Sequence, residues 1–325
     1  MKVLVVGLGS MGKRRIRLIQ QVDPSITIIG IDSQDARKEE AYQLYGIDCF
    51  SSIDAVLSEN NVECAFVCTS PLSHGDIICE LLEHDIHVFT EINLVNHRYD
   101  DILRISEEHN RIAFLSSTFL YRKDVGYIIE QARGQSVNYI YHTGQYLPDW
   151  HPWEKIENFF VSDARTNGCR EIMAIEFPWI CAAFGDITKV TVKKGSMTNL
   201  GLSYPDNYLL MLEHSSGSTG IVAVDVVARK ARRHLEIYNE NMQIFWDGTP
   251  NSVQVYDLDV KELKDITCYD DVVQDERYTA NIIENAYADE IADFLDCVRQ
   301  NHPQQKYNYQ RDMFILEKID EIEKA

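Results

Sequence analysis

"KVLVVGLGSMGKRRIRLIQQ", residues 2–21, sets the reading of the whole chain. An aliphatic, β-branched run passes straight into glycines at 7, 9 and 12, and a helical pattern follows. A continuous apolar run suits a strand buried on both faces. The G-x-G-x-x-G spacing then allows a tight turn, close approach of backbone to a pyrophosphate, and close packing of helix on strand, while the helix start turns unpaired amides toward the anion. Gly7, Gly9, Ser10, Met11 and Gly12 are the expected cofactor cradle. The next strand-like run, "SITIIGID", ends on Asp32, where a carboxylate can accept hydrogen bonds from ribose hydroxyls and repels a 2′-phosphate, so NAD is favoured over NADP. Arg37 pulls the other way, and a helix cap is the alternative use of Asp32.

Working outward, "VECAFVCTS", "IHVFTE" and "IAFLSST" are further short apolar runs separated by helical patterns. Alternation of this kind predicts a doubly wound parallel sheet over residues 1–118. Ligands of such sheets sit beyond the carboxyl ends of the strands. Two more loops are thereby singled out: "CTSPLSH", with Thr69, Ser70, Pro71 and His74, and "TEINLVNH", with Glu91. Residues 119–325 then form a second domain, in which "ITKVTVKKGS", "NYLLMLEHSSGSTGIVAVDVVA" and "HLEIYNENMQIFWDG" alternate as antiparallel strands do. Two helices close the chain, one with Ile283, Tyr287, Ile291, Phe294 and Val298 on a single face, the other with Phe314, Ile315, Ile319 and Ile322.

A length of 325 residues agrees with two domains. No apolar run approaches the roughly 18–20 residues of a membrane span, and the opening run is too short for a signal peptide. Eight cysteines without a C-x-x-C pair favour a reducing cytoplasm, and the scattered histidines make no metal-ligand pattern, so no metal site is expected. The net charge of −20 repels nucleic acid and anionic membranes. One basic stretch interrupts it, "ARKARRH" at 228–234, readable as a solvated hairpin end or as a patch for an anionic substrate.

Taken together, "VVGLGSMGKRRIR", Asp32, "CTSPLSHGDIICELLEHDIHVFTE" and "YADEIADFLDCVRQ" resemble the glucose-fructose oxidoreductase and inositol dehydrogenase group, the Gfo/Idh/MocA family. "GQYLPDWHPWE" is similar to a subgroup associated with bacterial surface-sugar biosynthesis. The resemblance implies a Rossmann domain followed by an α/β domain with a large, mostly antiparallel sheet, whose open face binds a sugar-like substrate and builds homodimers or homotetramers. It implies an NAD-dependent oxidoreductase acting on a hydroxyl of a sugar or sugar nucleotide.

The resemblance breaks in two places. Family members usually carry Glu-Lys-Pro after the fifth strand, and here Glu91 is followed by Ile92 and Asn93. An Asp-x-x-x-His-x-x-Asp helix motif should fall in residues 169–185, where Ile175 stands at the histidine and Pro178 at the second aspartate. Alcohol oxidation needs a proton acceptor, whose loss costs about 10²–10⁴-fold in rate. Glu176, in the apolar "MAIEFPW", is one expected replacement, because burial raises a carboxyl toward acid–base range; an ion pair with an arginine such as Arg170 is its structural alternative. His151, in an aromatic loop suited to sugar rings, is the other. Arg170 and Tyr146 are expected substrate contacts. Two other functions stay open: a non-catalytic NAD-bound sensor or partner-binding protein, and a redox-neutral lyase, epimerase or hydrolase with tightly held NAD.

Overall fold

The structure is a computed structural model and describes residues 1–152, 155–275, 281–304 and 306–325. In chain order the elements are β1 (Lys2–Val6), α1 (Ser10–Val22), β2 (Thr27–Ile31), α2 (Asp35–Tyr45), β3 (Asp48–Phe50), α3 (Ile53–Leu57), β4 (Cys64–Val67), α4 (His74–Glu83), β5 (His87–Thr90), α5 (Tyr99–Glu108) and β6 (Ala113–Leu115). There follow α6 (Lys123–Ala132), β7 (Asn138–Gly144), α7 (Gly168–Phe184), β8 (Ile187–Gly195), β9 (Asn207–His214), β10 (Thr219–Asp225), β11 (Arg232–Asn239), β12 (Met242–Trp246), β13 (Val253–Asp257), β14 (Glu262–Ile266), α8 (Glu284–Gln300) and α9 (Tyr309–Lys324). Two compact units result, one of residues 1–117 with 287–313, the other of 118–286 with 314–325. Among the described residues no helix is long and apolar enough to cross a membrane, and no group of His, Cys, Asp and Glu could hold a metal ion.

The first unit is a six-stranded parallel sheet in the order β3-β2-β1-β4-β5-β6. Strand order reverses between β1 and β4, which makes the ends of these two strands the switch point where a crevice opens. Their residues are buried on both faces, as the apolar runs require. Strand β3 has no counterpart among the sequence runs; its three residues, "DCF", are too few to show a period.

Residues 287–313 belong to this first unit, whereas the sequence reading puts them in the second domain. The reason is packing. Phe66, Phe89 and Phe114 stand side by side on β4, β5 and β6, and Phe294 of α8 meets all three rings edge-on, at centroid distances of 5.1, 5.6 and 5.4 Å. An apolar helix face recruits whichever sheet completes it, however distant in sequence.

In the second unit an eight-stranded sheet runs β14-β13-β12-β11-β7-β10-β9-β8, antiparallel throughout except for the β7–β10 pair. Helix α7 covers one face. Tyr139 stacks on Phe184 at 4.1 Å, and Tyr141 meets Trp179 edge-on at 5.4 Å. The opposite face exposes Ile140, Leu209, Met211 and Ile221. Strands β10 and β11 lie on either side of β7, so the basic stretch between them is a crossover past the end of β7 and not the hairpin end its sequence suggests.

Candidate functional site

In the first unit the turn after β1 is compressed. Gly7 has φ +93°, and a Cβ on Gly12 would lie 1.9 Å from the Gly7 carbonyl oxygen, so neither position admits a side chain. Gly9 differs: a Cβ there would meet nothing nearer than Arg37 Nη1 at 3.8 Å. Gly9, Ser10 and Met11 are only half-buried, and the N-cap, Gly9, makes no side-chain cap at the start of α1, the kind of helix start that suits an anion. Asp32 accepts the Leu8 N–H at one carboxylate oxygen and the Gln34 N–H at the other, each at 2.8 Å, which fixes its carboxylate at the end of β2. Arg37, 42% exposed, has Nη1 3.6 Å from Asp32 Oδ2. The open glycine, the uncapped helix and the fixed carboxylate together fit a dinucleotide.

The two following loops are tied to each other. Pro71 is buried, Thr69 is half-buried and Ser70 is exposed, while the Ser73 hydroxyl donates to Thr69 Oγ1 at 2.9 Å. His74 is buried, with Nδ1 2.7 Å from the Asn93 side chain and Nε2 3.0 Å from the Thr69 carbonyl oxygen. Burial lowers its pKa, so the ring is neutral and donates one N–H, that of Nε2, to Thr69. Nδ1 is then an acceptor and pairs with the Asn93 amide NH₂ once that amide is turned over. Both ring nitrogens are spent, and His74 binds loop to loop.

Glu91 is equally committed. Its two oxygens lie 2.6 Å and 3.0 Å from Arg15 Nε and Nη2, and the same guanidinium reaches Glu290 Oε2 of α8 at 2.9 Å. Arg15 is fully buried under the Phe89 ring, at 4.5 Å. Burial works against its charge, but Glu91 and Glu290 outweigh that and hold its pKa raised. Burial also pushes the Glu290 carboxyl up, against the pull of Arg15. Ser116 and Ser117 donate to the remaining Glu290 oxygen at 3.0 and 2.8 Å. Ile92, at the family's lysine, is half-buried beside this brace.

In the second unit α7 separates two carboxylates. Glu176 is fully buried: Oε2 accepts the Tyr141 hydroxyl and the Trp179 indole N–H, each at 2.7 Å, and Oε1 accepts Arg233 Nε–H at 2.8 Å and Thr143 Oγ1–H at 3.4 Å. Four donors occupy it, so it lies paired in the interior and not poised as the sequence suggests; its arginine is Arg233. Arg170 is also buried, bound to Glu323 at 2.5 Å and Asp320 at 2.8 Å of α9, which leaves it pointing into the packing and away from a ligand role.

Glu171 is the residue sequence reasoning passed over. On α7 only Glu171, Ile175 and Ala182 escape burial, and their spacing places them on one stripe. Glu171 stands four residues before Ile175, at the first aspartate of the family motif, and that spacing was the available signal. Its Oε2 is buried without a hydrogen-bond partner, and burial pushes its carboxyl up to about 8. The buried Tyr204 hydroxyl, beside the Gly168 backbone, is pushed up to about 12 by burial and is close enough to feel the Glu171 charge.

The first turn of α7 meets two other segments. A Cβ on Gly168 would lie 2.9 Å from Val226 and 3.2 Å from Leu147. Tyr146 lies under the Arg229 guanidinium at 4.0 Å, and half-buried His151 stacks on Phe159 at 4.2 Å. Trp153 and Glu154, at the end of the same motif, lie outside the described residues. Glu171, Tyr204, Tyr146 and the 226–229 segment therefore gather around one helix start.

Residues 1–112 match the model of an oxidoreductase family described as having an NAD-binding Rossmann fold. Human biliverdin reductase A is 25% identical over 137 residues, a stretch that covers 42% of this chain and 46% of that protein's length. Among solved structures, a levoglucosan dehydrogenase in complex with NADH and L-sorbose superposes with a TM-score of 0.79 at 14% identity, over 99% of this chain and 95% of that one. Myo-inositol 2-dehydrogenase from Lactobacillus plantarum gives 0.78 at 14% identity, over 100% and 96%. UDP-N-acetylglucosamine 3-dehydrogenase from Acidithiobacillus ferrooxidans gives 0.76 at 14% identity, over 100% and 97%. At such identities these likenesses speak for the fold. The family match falls on the glycine turn, Asp32 and the loops after β4 and β5, so residues 1–112 are similar to the NAD-binding domain of the Gfo/Idh/MocA oxidoreductases.

Proposed function

We propose that this protein is an NAD-dependent dehydrogenase acting on a secondary hydroxyl of a sugar or sugar nucleotide. One combination carries the reading: an intact dinucleotide turn in a chain that also keeps, on the open stripe of α7, a half-buried glutamate, Glu171, with one carboxyl oxygen buried and unpartnered. Gly7, Gly9, Ser10, Met11 and Gly12 hold the pyrophosphate, Asp32 the adenosine ribose, and Thr69, Ser70 and Pro71 the nicotinamide half. NAD, when bound, supplies the acceptor for the hydride that leaves the carbinol carbon. Glu171, as carboxylate, takes the hydroxyl proton, and in the reverse direction it returns that proton to the carbonyl oxygen. Tyr204 steadies the hydroxyl, while Tyr146 and His151 offer ring faces to the sugar.

The test is Glu171→Gln, which keeps shape and removes proton exchange. Nicotinamide absorbance at 340 nm with a panel of sugars and sugar nucleotides reports turnover, and fluorescence titration reports NADH binding. Wild-type turnover in the variant would sink the role of Glu171. A second reading, an NAD-bound sensor without turnover, is favoured by the apolar Ile92 and Ile175 at the family's two proton-handling positions. It predicts NADH binding and no absorbance change with any of the panel.

The part of the open sheet face formed by β9, β10 and the middle of β7 is the proposed homodimer or homotetramer contact. Met211, Ile221 and Ile140 lie in register across β9, β10 and β7, each more than 40% exposed, and a row of that kind is a contact surface more often than a solvated one. Ile221→Glu should convert the oligomer to monomer by light scattering.

A further inference from the structure

The crossover between β10 and β11 is built differently from an ordinary solvated loop. Asp225, at its start, lies over Gly144, where a Cβ would come within 2.7 Å of the carboxylate. Asp225 Oδ1 accepts the N–H groups of Val227 and Ala228 at 2.9 and 2.7 Å, and Oδ2 accepts Nε2–H of His142 at 2.7 Å. This sets the tautomer of His142, 35% exposed, and leaves Nδ1 as an open acceptor. One step further on, the Tyr146 N–H donates to the Ala228 carbonyl at 2.7 Å and the Tyr146 ring carries Arg229. Arg232 stands opposite Gly144 and His234 opposite His142, which puts Arg232, His234, His142 and Asp225 on the sheet face away from α7, at the end of β7.

Three cations, Arg229, Lys230 and Arg232, are exposed here, and among the described residues none has an acidic partner. Nearby Asp225 is occupied by His142 and two amides. Extended chain from 229 to 232 spans at most about 10 Å, the scale of two linked phosphates. Guanidinium groups bind phosphate through paired N–H donors. The same crossover packs Val226 against the first turn of α7, the turn that holds Glu171.

We propose that Arg229, Lys230 and Arg232, fixed by Tyr146 and by the Asp225–His142 pair, form an anion subsite for the diphosphate of a sugar nucleotide, with His142 Nδ1 accepting a sugar or ribose hydroxyl. The inference rests on the dehydrogenase reading of the same site and narrows its substrate class from sugars in general to nucleotide-linked ones.

Calorimetric titration of the full chain, saturated with NAD⁺ so that the glycine turn is filled, with uridine diphosphate as the probe and N-acetylglucosamine as the phosphate-free control, tests it. Uridine diphosphate should bind more tightly than the control and more weakly at 300 mM than at 50 mM NaCl. Arg229→Ala and Arg232→Ala should each weaken it about tenfold, with Lys193→Ala, on β8, unchanged. NAD⁺ affinity, measured first on each sample, should not move and doubles as the check on folding. Absence of uridine diphosphate binding, or binding untouched by both arginine substitutions, overturns the subsite. Failure of the wild type to bind NAD⁺ would instead defeat the dehydrogenase reading, while the arginine series still decides the subsite.

Discussion

The loop after β5 and the start of α7 are the two places where the sequence departs from the family pattern it resembles, and they differ in opposite directions. In the loop the carboxylate is satisfied: Glu91 is clamped by Arg15, and Asn93 pairs with His74. On α7, one turn before Ile175, Glu171 is half-buried with one carboxyl oxygen buried and unpartnered. The helix repeats the contrast within itself, because Glu176, five residues on, has four donors. A carboxylate with all its lone pairs filled stabilises structure; one held in low dielectric without a partner is tuned for proton transfer.

The largest break in that contrast should come from Glu171→Gln, with kcat lowered about 10²–10⁴-fold and NADH affinity unchanged. In the wild type, oxidation should speed up as pH rises through about 8, where the Glu171 carboxyl loses its proton, and reduction should be favoured below it. Next is Arg15→Ala, which leaves Glu91 and Glu290 buried together without a cation; the first unit should lose about 3–5 kcal/mol by denaturant unfolding. Glu176→Gln should lower stability by about 1–3 kcal/mol, because Arg233 loses its charged partner, with kcat little changed. If instead turnover collapsed while stability held, the roles assigned to the two glutamates would be reversed.

The smallest expected effect concerns stability and pH. Burial raises the folded pKa of Glu171 above its unfolded value, so its contribution to stability is fully present below the ordinary carboxylate range and is lost as pH rises through about 8. Glutamine removes that dependence. The melting temperature of Glu171→Gln relative to wild type should therefore increase from pH 6 to pH 9; a constant difference would show that the carboxyl is not the group being titrated.

Much of the first unit was legible because its signals are local. Gly7 and Gly12 meet each other within one turn, Asp32 closes the strand that precedes its own helix, and apolar runs of four or five residues mark a sheet covered on both sides. The misplaced readings all involve long-range partners. Arg170 looked like a substrate contact beside Gly168, but α9 supplies Asp320 and Glu323 to hold it. The stretch 228–234 looked like a hairpin end until β7 was found between β10 and β11. Residues 287–313 went to the wrong domain because an apolar helix face does not specify the sheet that will cover it.

By itself, then, the sequence determined the glycine turn, a carboxylate at the end of the second strand, the two fold classes and the apolar residues at positions 92 and 175. These depend on backbone geometry and on side-chain identity within a few residues. Which of the glutamates at 91, 171 and 176 retains a carboxyl free for proton transfer was decided only by tertiary structure. A carboxyl's acidity follows from the donors and dielectric around it, and apart from Trp179, three residues from Glu176 on the same helix, the donors to Glu91 and Glu176 come from segments far away in the chain.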